Sequence, residues 1–283
     1  MNRITLNANA KINLFLEVNE RLPDGYHDLQ SIMQSVSLHD VLYIEVNESG
    51  KFLLDCPKIY CDYKDNLIYK AAMAFYMHSG IVFTGMNVKV EKNIPASAGL
   101  AGGSTDAAAI LKGLNTLYDK PFSDVELRSI GKTIGADVPF CIMGGTAIAG
   151  GVGEVLTPII DLPECFIVIS IGDCGVSTKW AFEQIDRLQK RKIHSIDSIK
   201  KAMAERSLRD ICRGFYNIFE TVSPYETKIK DIMLENGALG ALMSGSGPSV
   251  FAVYDKKELA DNAVGSLLKN GYSAFLCQPQ NNM

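Results

Sequence analysis

The sequence carries no excess of basic residues, since 28 Lys and Arg stand against 32 Asp and Glu and the formal net charge is −4. Proteins that bind nucleic acids usually present a strongly basic face, so no nucleic acid is expected as a partner. Phosphate-bearing small molecules stay open as ligands, because a few local lysines and backbone N–H groups suffice to bind them.

A regular cysteine pattern is also missing. The seven cysteines are odd in number and unevenly spaced, which argues against a disulfide framework. Cys56 and Cys61 lie five residues apart, which makes a poor zinc pair, and no second pair completes a site. We expect buried or idle thiols in a reducing cytoplasm; the cysteines are at 56, 61, 141, 165, 174, 212 and 277.

Long apolar runs are absent as well. The longest strongly apolar run, at 165–171, is far too short to cross a membrane. Residues 1–16 lack the apolar core of a signal peptide. The sequence therefore predicts a cytoplasmic protein with no membrane partner, present as a monomer or a homodimer.

The spacing of apolar residues predicts a mixture of helices and strands in the N-terminal part. Ser123 and Glu126 form a capping-box pattern for a helix that runs towards Thr133, with Gly135 as its stop. Strands are predicted at 3–7, 11–18, 38–46 and 86–92, and helices at 66–78 and 106–118.

The C-terminal part reads as β-α-β-β-α-β once the additional helices are set aside, which is the split βαβ order. The 283 residues suffice for two domains. We predict an α+β protein with domains at 1–157 and 158–283. The predicted strands are 165–171, 238–243, 249–254 and 272–278, and the helices 178–189, 195–207, 211–220, 224–236 and 257–270.

Glycine is concentrated at 99–103, at 144–153 and at Gly245 and Gly247. The most informative of these segments is 95–106, which consists mostly of small residues and runs directly into a predicted helix. Backbone without Cβ atoms can approach a ligand closely, and the N–H groups of a helix N-terminus favour an anion. The segment therefore predicts a phosphate site, although it is neither a Walker A sequence nor a dinucleotide-binding fingerprint.

This loop resembles the phosphate-binding loop of the GHMP kinase superfamily. Segments 10–14, 24–29, 135–140 and 243–251 resemble, in order, the other motifs of its branch that phosphorylates 4-diphosphocytidyl-2-C-methyl-D-erythritol. Two departures are small: Ala101 replaces a common glycine, and 150–154 lacks an arginine often seen there.

The resemblance implies an ATP-dependent kinase acting on the 2-hydroxyl of that substrate, in the non-mevalonate isoprenoid precursor pathway. It also implies a two-domain GHMP kinase fold. The N-terminal domain would resemble ribosomal protein S5 domain 2, the C-terminal domain would be ferredoxin-like, and the active site would lie in the cleft between them. The alternatives are another GHMP kinase, of mevalonate, homoserine or a sugar, and a non-catalytic nucleotide-binding member of the fold.

By the same resemblance, Asp137 and Lys11 are the catalytic residues. Asp137 would accept the proton of the attacking hydroxyl or orient that hydroxyl, and Lys11 would lie beside it and lower the hydroxyl's pKa. From the residues alone, Asp137 could instead cap a helix, and Lys11 could be an outward, solvated side chain. Asn13 lies two residues after Lys11, hence on the same side of a strand, where it would bind substrate.

The resemblance assigns ATP binding to Lys92, Asn66 and eleven loop residues: Pro95, Ala96, Ser97, Ala98, Gly99, Leu100, Ala101, Gly102, Gly103, Ser104 and Thr105. Kinases that use ATP need Mg²⁺ to bridge the phosphates. Glu154 and Ser104 are candidate ligands between which the sequence does not decide. Asp106 fits a charge near a helix N-terminus equally well.

Recognition of the cytosine base is assigned to Tyr26 and His27, with Phe182 as the facing aromatic and Trp180 as its competitor. Core packing of an amphipathic helix is the alternative role for Phe182 and Trp180. Gly245 and Gly247 would close on the substrate diphosphate, and a tight β-turn is the alternative for them.

Overall fold

A computed structural model describes residues 2–23, 25–57, 62–173, 175–188, 192–225 and 227–281. Asp24, Cys61 and Cys174, considered above, lie outside the described residues. The chain forms two compact units, each assembled from separate segments. The first unit comprises Met1–Ala10, His39–Ala96 and Ala101–Met143, and the second comprises Lys11–Leu38, Ser97–Leu100 and Gly144–Met283. The boundary at 157/158 remains a prediction.

Two long strands open the chain: β1 (Arg3–Arg21) and β2 (His27–Val46). The separate strands predicted at 3–7 and 11–18 are one strand, and the strand predicted at 38–46 begins eleven residues earlier. The reason is burial, because residues 10–18 of β1 are buried without interruption. A strand buried on both faces loses the alternation from which its ends are predicted.

Within its described residues, the first unit contains the N-terminal part of β1, the C-terminal part of β2, two further strands and four helices. β4 pairs antiparallel with β2, from Val41 opposite Glu91 to Val46 opposite Met86, and β3 is parallel to β4. The further elements are β3 (Phe52–Asp55), α1 (Leu67–Ser79), β4 (Met86–Glu91), α2 (Gly102–Leu117), α3 (Asp124–Lys132) and α4 (Val138–Met143).

The helices of this unit share an apolar core with the sheet. Residues 107–111 of α2 are all buried, and they join Phe75 of α1 and Ile44 of β2 in one cluster. The capping box that begins α3 is confirmed, with Ser123 and Glu126 bonded reciprocally. α3 ends at Lys132 with Thr133 as its C-cap, as predicted, and Gly135 N donates to Gly131 O of the last turn at 3.2 Å. The chain then turns directly into α4, where Gly135 O accepts a hydrogen bond from Val138 N.

The second unit contains two sets of strands. β5 (Thr146–Gly150) pairs antiparallel with β2 at Ser31–Gln34 and forms a hairpin with β6 (Val155–Pro158). β8 (Tyr216–Asn217) is parallel to β1. The other set is an antiparallel sheet in the order β11-β7-β10-β9, formed by β7 (Phe166–Ile171), β9 (Gly240–Met243), β10 (Ser249–Tyr254) and β11 (Phe275–Cys277).

This strand order confirms the ferredoxin-like split βαβ prediction and the α+β class. The helix predicted at 211–220 is wrong, because α7 ends at Arg213 and the chain then pairs with β1 before a 3₁₀ turn. The helices of this unit are α5 (Thr178–Asp186), α6 (Asp197–Ala204), α7 (Leu208–Arg213), the 3₁₀-helix Ile218–Thr221, α8 (Thr227–Glu235) and α9 (Lys257–Lys269).

Two global features bear on function. The described cysteines at 56, 141, 165, 212 and 277 are free thiols. Burial raises the pKa of Cys165, Cys212 and Cys277 to about 12, so these thiols are poor nucleophiles. No helix in the described part of the chain has the length and apolar character needed to cross a membrane.

Candidate active site

The N-terminus of α2 has no side-chain cap. Its N-cap is Ala101, in the left-handed conformation with a φ of 59°, and no side chain caps the first turn. By contrast, α1 is capped by Asn66 Oδ1, which accepts a hydrogen bond from Ile68 N. The first N–H groups of a helix lack partners within the helix and carry partial positive charge. An anion is therefore the natural partner of α2.

A buried charge cluster supports this end of α2. The Lys92 ammonium donates to Asp40 Oδ2 and, over 2.7 Å, to Asp106 Oδ2. Asp40 is fully buried, and its other oxygen accepts from Asn93 N and Ile94 N at 2.6 and 2.8 Å. The Lys92 ammonium thus pairs with two buried carboxylates. The cluster lies beside Gly102, because an added Cβ there would be 3.6 Å from Lys92 Nζ.

This cluster shifts the titration of its members. Burial raises the pKa of Asp106 to about 7, and the Asp40 carboxylate adds to this, whereas the Lys92 ammonium opposes it. Burial lowers the pKa of Lys92, but the Asp106 and Asp40 carboxylates outweigh burial and leave it above its ordinary value. Lys92 stays charged at neutral pH, and the cluster holds it in place.

Asp137 immediately precedes α4 in the first unit. Its carbonyl accepts a hydrogen bond from Cys141 N at 3.0 Å, and its side chain is partly exposed. The segment that carries it passes beside the start of α2, because an added Cβ on Gly135 would lie 4.0 Å from Ser104 Oγ. Asp137 and Ser104 therefore belong to neighbouring segments of one unit.

Lys11 and Asn13 lie in the second unit, buried on the same side of β1. Their exposures are 5% and 1%, and Lys11 Nζ donates to Asn13 Oδ1 over 2.8 Å. Asn13 Nδ2 in turn donates to Ser31 Oγ at 2.9 Å. Lys11 is thus an inward side chain with a polar partner, and not an outward, solvated one.

The aromatic residues assigned to base recognition form a contact of their own. His27 and Phe182 stack with ring centroids 4.7 Å apart and an interplanar angle of 17°. His27 Nε2 also lies 2.7 Å from Asp186 Oδ1. Tyr26 is 64% exposed and Trp180 is 38% exposed. Phe182 rather than Trp180 therefore meets His27, and the stacked rings leave no room for a base between them.

The remaining part of the glycine-rich loop, Ser97–Leu100, packs against the loop Ser244–Pro248. Ser244 Oγ donates to Gly99 O at 3.1 Å, and an added Cβ on Gly99 would lie 2.2 Å from Ser244 O. Gly99 also has a φ of 74°, so both its backbone angle and its surroundings require glycine. Leu100 O accepts from Lys11 N at 3.1 Å, which joins this segment to β1.

Several residues of these clusters were not predicted from the sequence: Asp40, Ser31, Asp186 and Ser244. Each contacts a predicted site residue that is distant along the chain; Asp40 and Lys92, for instance, are 52 residues apart. No local spacing pattern marks such pairs. The sequence marks Asp106 as a charge near the start of α2, but no local pattern indicates that it pairs with Lys92.

Comparison with known proteins bears directly on this geometry. The model of the GHMP kinases N-terminal domain matches residues 66–145, and that of the GHMP kinases C-terminal domain matches residues 181–273. Together the two matches span more than half of the chain and include the uncapped end of α2 and the segment of Asp137.

Curated relatives match over nearly the whole chain. The 4-diphosphocytidyl-2-C-methyl-D-erythritol kinase of Caldicellulosiruptor bescii is 41% identical over 89% of this chain and 90% of its own length. The enzyme of the same name from Acetivibrio thermocellus is 39% identical over 98% and 99% of the two chains.

Solved structures agree. A crystal structure of 4-(cytidine 5'-diphospho)-2C-methyl-D-erythritol kinase matches with a TM-score of 0.79 and 30% identity, covering 99% of this chain and 100% of that one. Methanococcus jannaschii mevalonate kinase matches with a TM-score of 0.76 over 99% of both chains, but at 16% identity, so that it supports the fold alone.

Proposed function

Since the chain belongs to the 4-diphosphocytidyl-2-C-methyl-D-erythritol kinases, a family of GHMP kinases, we propose that Lys11 and Asp137 carry its reaction and that the segment 95–105 binds ATP. The enzyme is an ATP-dependent small-molecule kinase. It phosphorylates the 2-hydroxyl of 4-diphosphocytidyl-2-C-methyl-D-erythritol, giving the 2-phosphate and ADP, in the non-mevalonate pathway to isoprenoid precursors.

The observation that carries the assignment of ATP is the uncapped N-terminus of α2, with Ala101 as its N-cap. The phosphates of ATP would accept hydrogen bonds from the N–H groups of this first turn, which the helix dipole favours. Ser104 adds a hydroxyl group, whereas Thr105 contributes through its backbone, since its buried hydroxyl donates to Asn9 O at 2.7 Å. Lys92 adds a positive charge that Asp40 and Asp106 hold in place. Asn66 Oδ1 caps α1 by accepting from Ile68 N. In the proposal Asn66 therefore binds ATP through its Nδ2 or its backbone.

In the proposed reaction the acceptor hydroxyl loses its proton to Asp137. A carboxylate in this role accepts the proton as the oxygen attacks phosphorus, or orients the hydroxyl for the attack. The positive charge of Lys11 favours the ionised hydroxyl and holds it in position. Asn13 and Ser31 fix the ammonium of Lys11, since the polar chain behind it leaves few other positions. Phosphoryl transfer needs positioning and charge neutralisation more than covalent chemistry, so these contacts suffice.

The cytidine end of the substrate is assigned to Tyr26, His27 and Phe182. Aromatic faces stack on bases, and the imidazole offers hydrogen bonds to a base edge. The Tyr26 ring is 64% exposed, and His27 and Phe182 stack with ring centroids 4.7 Å apart; in the proposal the base lies against these rings. Gly245 and Gly247 lie in the loop that packs on Gly99 and would meet the diphosphate.

Magnesium accompanies ATP in this proposal and would neutralise charge on its phosphates. Among the described residues, no three His, Cys, Asp or Glu side chains gather in a metal-binding group. Glu154 Oε2 accepts a hydrogen bond from Val152 N at 2.8 Å within its own turn, which leaves the carboxylate further lone pairs for a cation. Glu154 and the Ser104 hydroxyl are the proposed ligands, since magnesium commonly keeps several waters and takes few protein ligands. Cytoplasmic location and a monomeric or homodimeric state remain predictions from the sequence.

An ADP-release assay tests the substrate. We expect turnover with 4-diphosphocytidyl-2-C-methyl-D-erythritol and none with mevalonate or homoserine. Turnover confined to mevalonate or homoserine would contradict the substrate assignment, and no turnover with any of the three would favour a non-catalytic nucleotide-binding protein.

The variants Lys11→Ala and Asp137→Ala test the catalytic residues. Each is expected to lose kcat by about 100-fold or more while remaining folded, in the range for loss of an acid–base group. Lys112→Ala and Asp255→Ala remove the same charges from exposed positions and should retain normal kinetics. Near-normal turnover in either catalytic variant would remove that residue from its role.

A further inference from the structure

The loop between β9 and β10, Ser244–Pro248, contacts the segment Ser97–Leu100 backbone to backbone. An added Cβ on Gly245 would lie 3.3 Å from Gly99 Cα, and Ser249 N donates to Ala98 O at 3.4 Å. The position of this glycine loop therefore determines the shape of one part of the proposed ATP-binding segment. Two side chains, those of Asn217 and Glu220, hold the loop Ser244–Pro248 in this position.

Asn217 is the first of two side chains that fix it. Its Nδ2 donates to Met243 O and to Gly245 O, both at 2.8 Å, and its Oδ1 accepts from Phe219 N at 3.0 Å. The residue is 2% exposed. One amide hydrogen thus binds the end of β9 and the other binds the loop, and among neutral side chains only the longer glutamine also offers two donors at one nitrogen.

Glu220 is the second. Its Oε1 accepts from Met243 N at 2.9 Å, and the same carboxylate pairs with Lys230 Nζ at 2.9 Å. Asn217 therefore binds the C=O and Glu220 the N–H of one residue, Met243, which immediately precedes the loop. The peptide on each side of Met243 is held by a side chain, so the loop leaves β9 in a single direction.

Asn217 and Glu220, together called the clamp, also connect to β1, the strand that carries the proposed catalytic residue Lys11. Asn217 lies in β8 opposite Leu16 of β1, and Lys11 and Asn13 are further along that strand. Neither Asn217 nor Glu220 belongs to the glycine-rich motifs, and both fall in a segment whose sequence indicated only a helix. The hydrogen bonds that Asn217 and Glu220 make to Met243 and Gly245 explain why these two side chains lie there.

We infer that Asn217 and Glu220 are positioning residues of the kinase reaction, which fix the loop Ser244–Pro248 against Ser97–Leu100. The inference rests on the proposed function for its kinetic consequence. A displacement of about 1 Å at a phosphate-binding segment costs on the order of 100-fold in rate, so loss of the clamp acts on catalysis at a distance.

Asn217→Asp tests the first residue, because it keeps the shape and replaces the two donors by an oxygen that faces two carbonyls. We expect kcat/KM for the cytidylated substrate to fall about 10- to 100-fold. Asn236→Ala is the matched control, since it removes an asparagine that also donates to a backbone carbonyl, Ile232 O, on α8. The control should lose thermal stability without this loss of kcat/KM.

The second residue is tested by three variants. Glu220→Ala removes the acceptor of Met243 N and should resemble Asn217→Asp, whereas Glu220→Gln keeps an oxygen there and should recover most of the activity. Lys230→Met breaks the ion pair but leaves the carboxylate, so its kcat/KM should stay within about threefold of the wild type while its melting temperature falls.

Hydrogen exchange at the amides of 244–247 and 249 separates this inference from the proposed function, because it needs no substrate. In Asn217→Asp these amides should exchange at least about tenfold faster than in Asn236→Ala. If Asn217→Asp exchanges faster but the wild type turns over none of the three substrates, the proposed function is overturned and the inference about the clamp stands. Unchanged exchange, or an equal kinetic loss in Asn236→Ala and Lys230→Met, would overturn the clamp.

Discussion

Lys92 donates a hydrogen bond from Nζ to Asp106 Oδ2 over 2.7 Å, close to the start of α2. The same ammonium contacts the buried Asp40. A cluster with two carboxylates and one ammonium lies beside the backbone to which we assign the ATP phosphates. Its protonation state therefore affects both the stability of the fold and the charge that ATP meets.

The stability of the protein should depend on the titration of Asp106. The folded state holds this proton up to a pKa of about 7, whereas an aspartate in an unfolded chain loses it near 3.9. The stabilisation is thus complete below about pH 4 and is lost as the pH rises through about 7. In Asp106→Asn the group does not titrate. The free energy of unfolding of the wild type, relative to this variant, should fall by up to a few kcal/mol across that range.

Urea denaturation at several pH values between about 4 and 8 measures this difference. Asp119→Asn is the control, because Asp119 is exposed and its left-handed backbone suits asparagine as well. Its curve should run parallel to that of the wild type. A parallel curve for Asp106→Asn would show that the cluster does not retain the proton.

Gly99→Ala should reduce activity more than stability. The added methyl group would lie 2.2 Å from Ser244 O, and the left-handed φ disfavours alanine, so the two loops must separate. We expect the KM for ATP to rise about tenfold or more. Gly265→Ala, in the middle of α9 with open space around it, should instead stabilise the protein by about 0.5–1 kcal/mol with unchanged kinetics. An unchanged KM for ATP in Gly99→Ala would contradict the assignment.

Phe182→Leu should weaken binding of the cytidylated substrate. It removes the ring that stacks on His27 but keeps an apolar side chain against the core. Loss of an aromatic pair corresponds to about a 3- to 10-fold higher KM, with kcat changed little. Steady-state kinetics of Trp180→Leu should show the smaller effect, because Phe182 is the ring that stacks on His27. The reverse order of the two variants would assign the base to Trp180.

Ser123→Ala should destabilise the protein by about 1 kcal/mol, since it removes the N-cap of α3 and half of the capping box. Ser129→Ala, an exposed position within the same helix, should stabilise it slightly because alanine is the better helix former. Chemical denaturation of both variants measures the two signs. Equal effects of the two substitutions would show that the cap contributes nothing.

The features that were predicted from the sequence depend on neighbours along the chain. Ser123 and Glu126 are three residues apart, and Lys11 and Asn13 are two apart, so helix and strand geometry alone bring each pair together. The β-α-β-β-α-β order likewise follows from local patterns read in succession, and it sufficed for the C-terminal sheet.

The features that were missed depend on distant contacts. Ser244 and Gly99 are 145 residues apart, and Asp40 and Lys92 are 52 apart. The end of α7 was missed for the same reason, because Asn217 leaves helical geometry to pair with β1 and to bind the loop after β9. Local helix propensity at 214–220 is overridden by these tertiary hydrogen bonds.

The paths of β1 and β2 have a consequence for how this chain can be divided. The second compact unit takes Lys11–Leu38 and Ser97–Leu100 from the N-terminal half of the sequence. A gene split at 157/158 would therefore express a C-terminal fragment without the segment of β1 on which β8 pairs, at Phe15 and Leu16. Recombination between relatives at that point would exchange sequence without exchanging a folding unit. The two halves of the chain are bound to evolve as one protein.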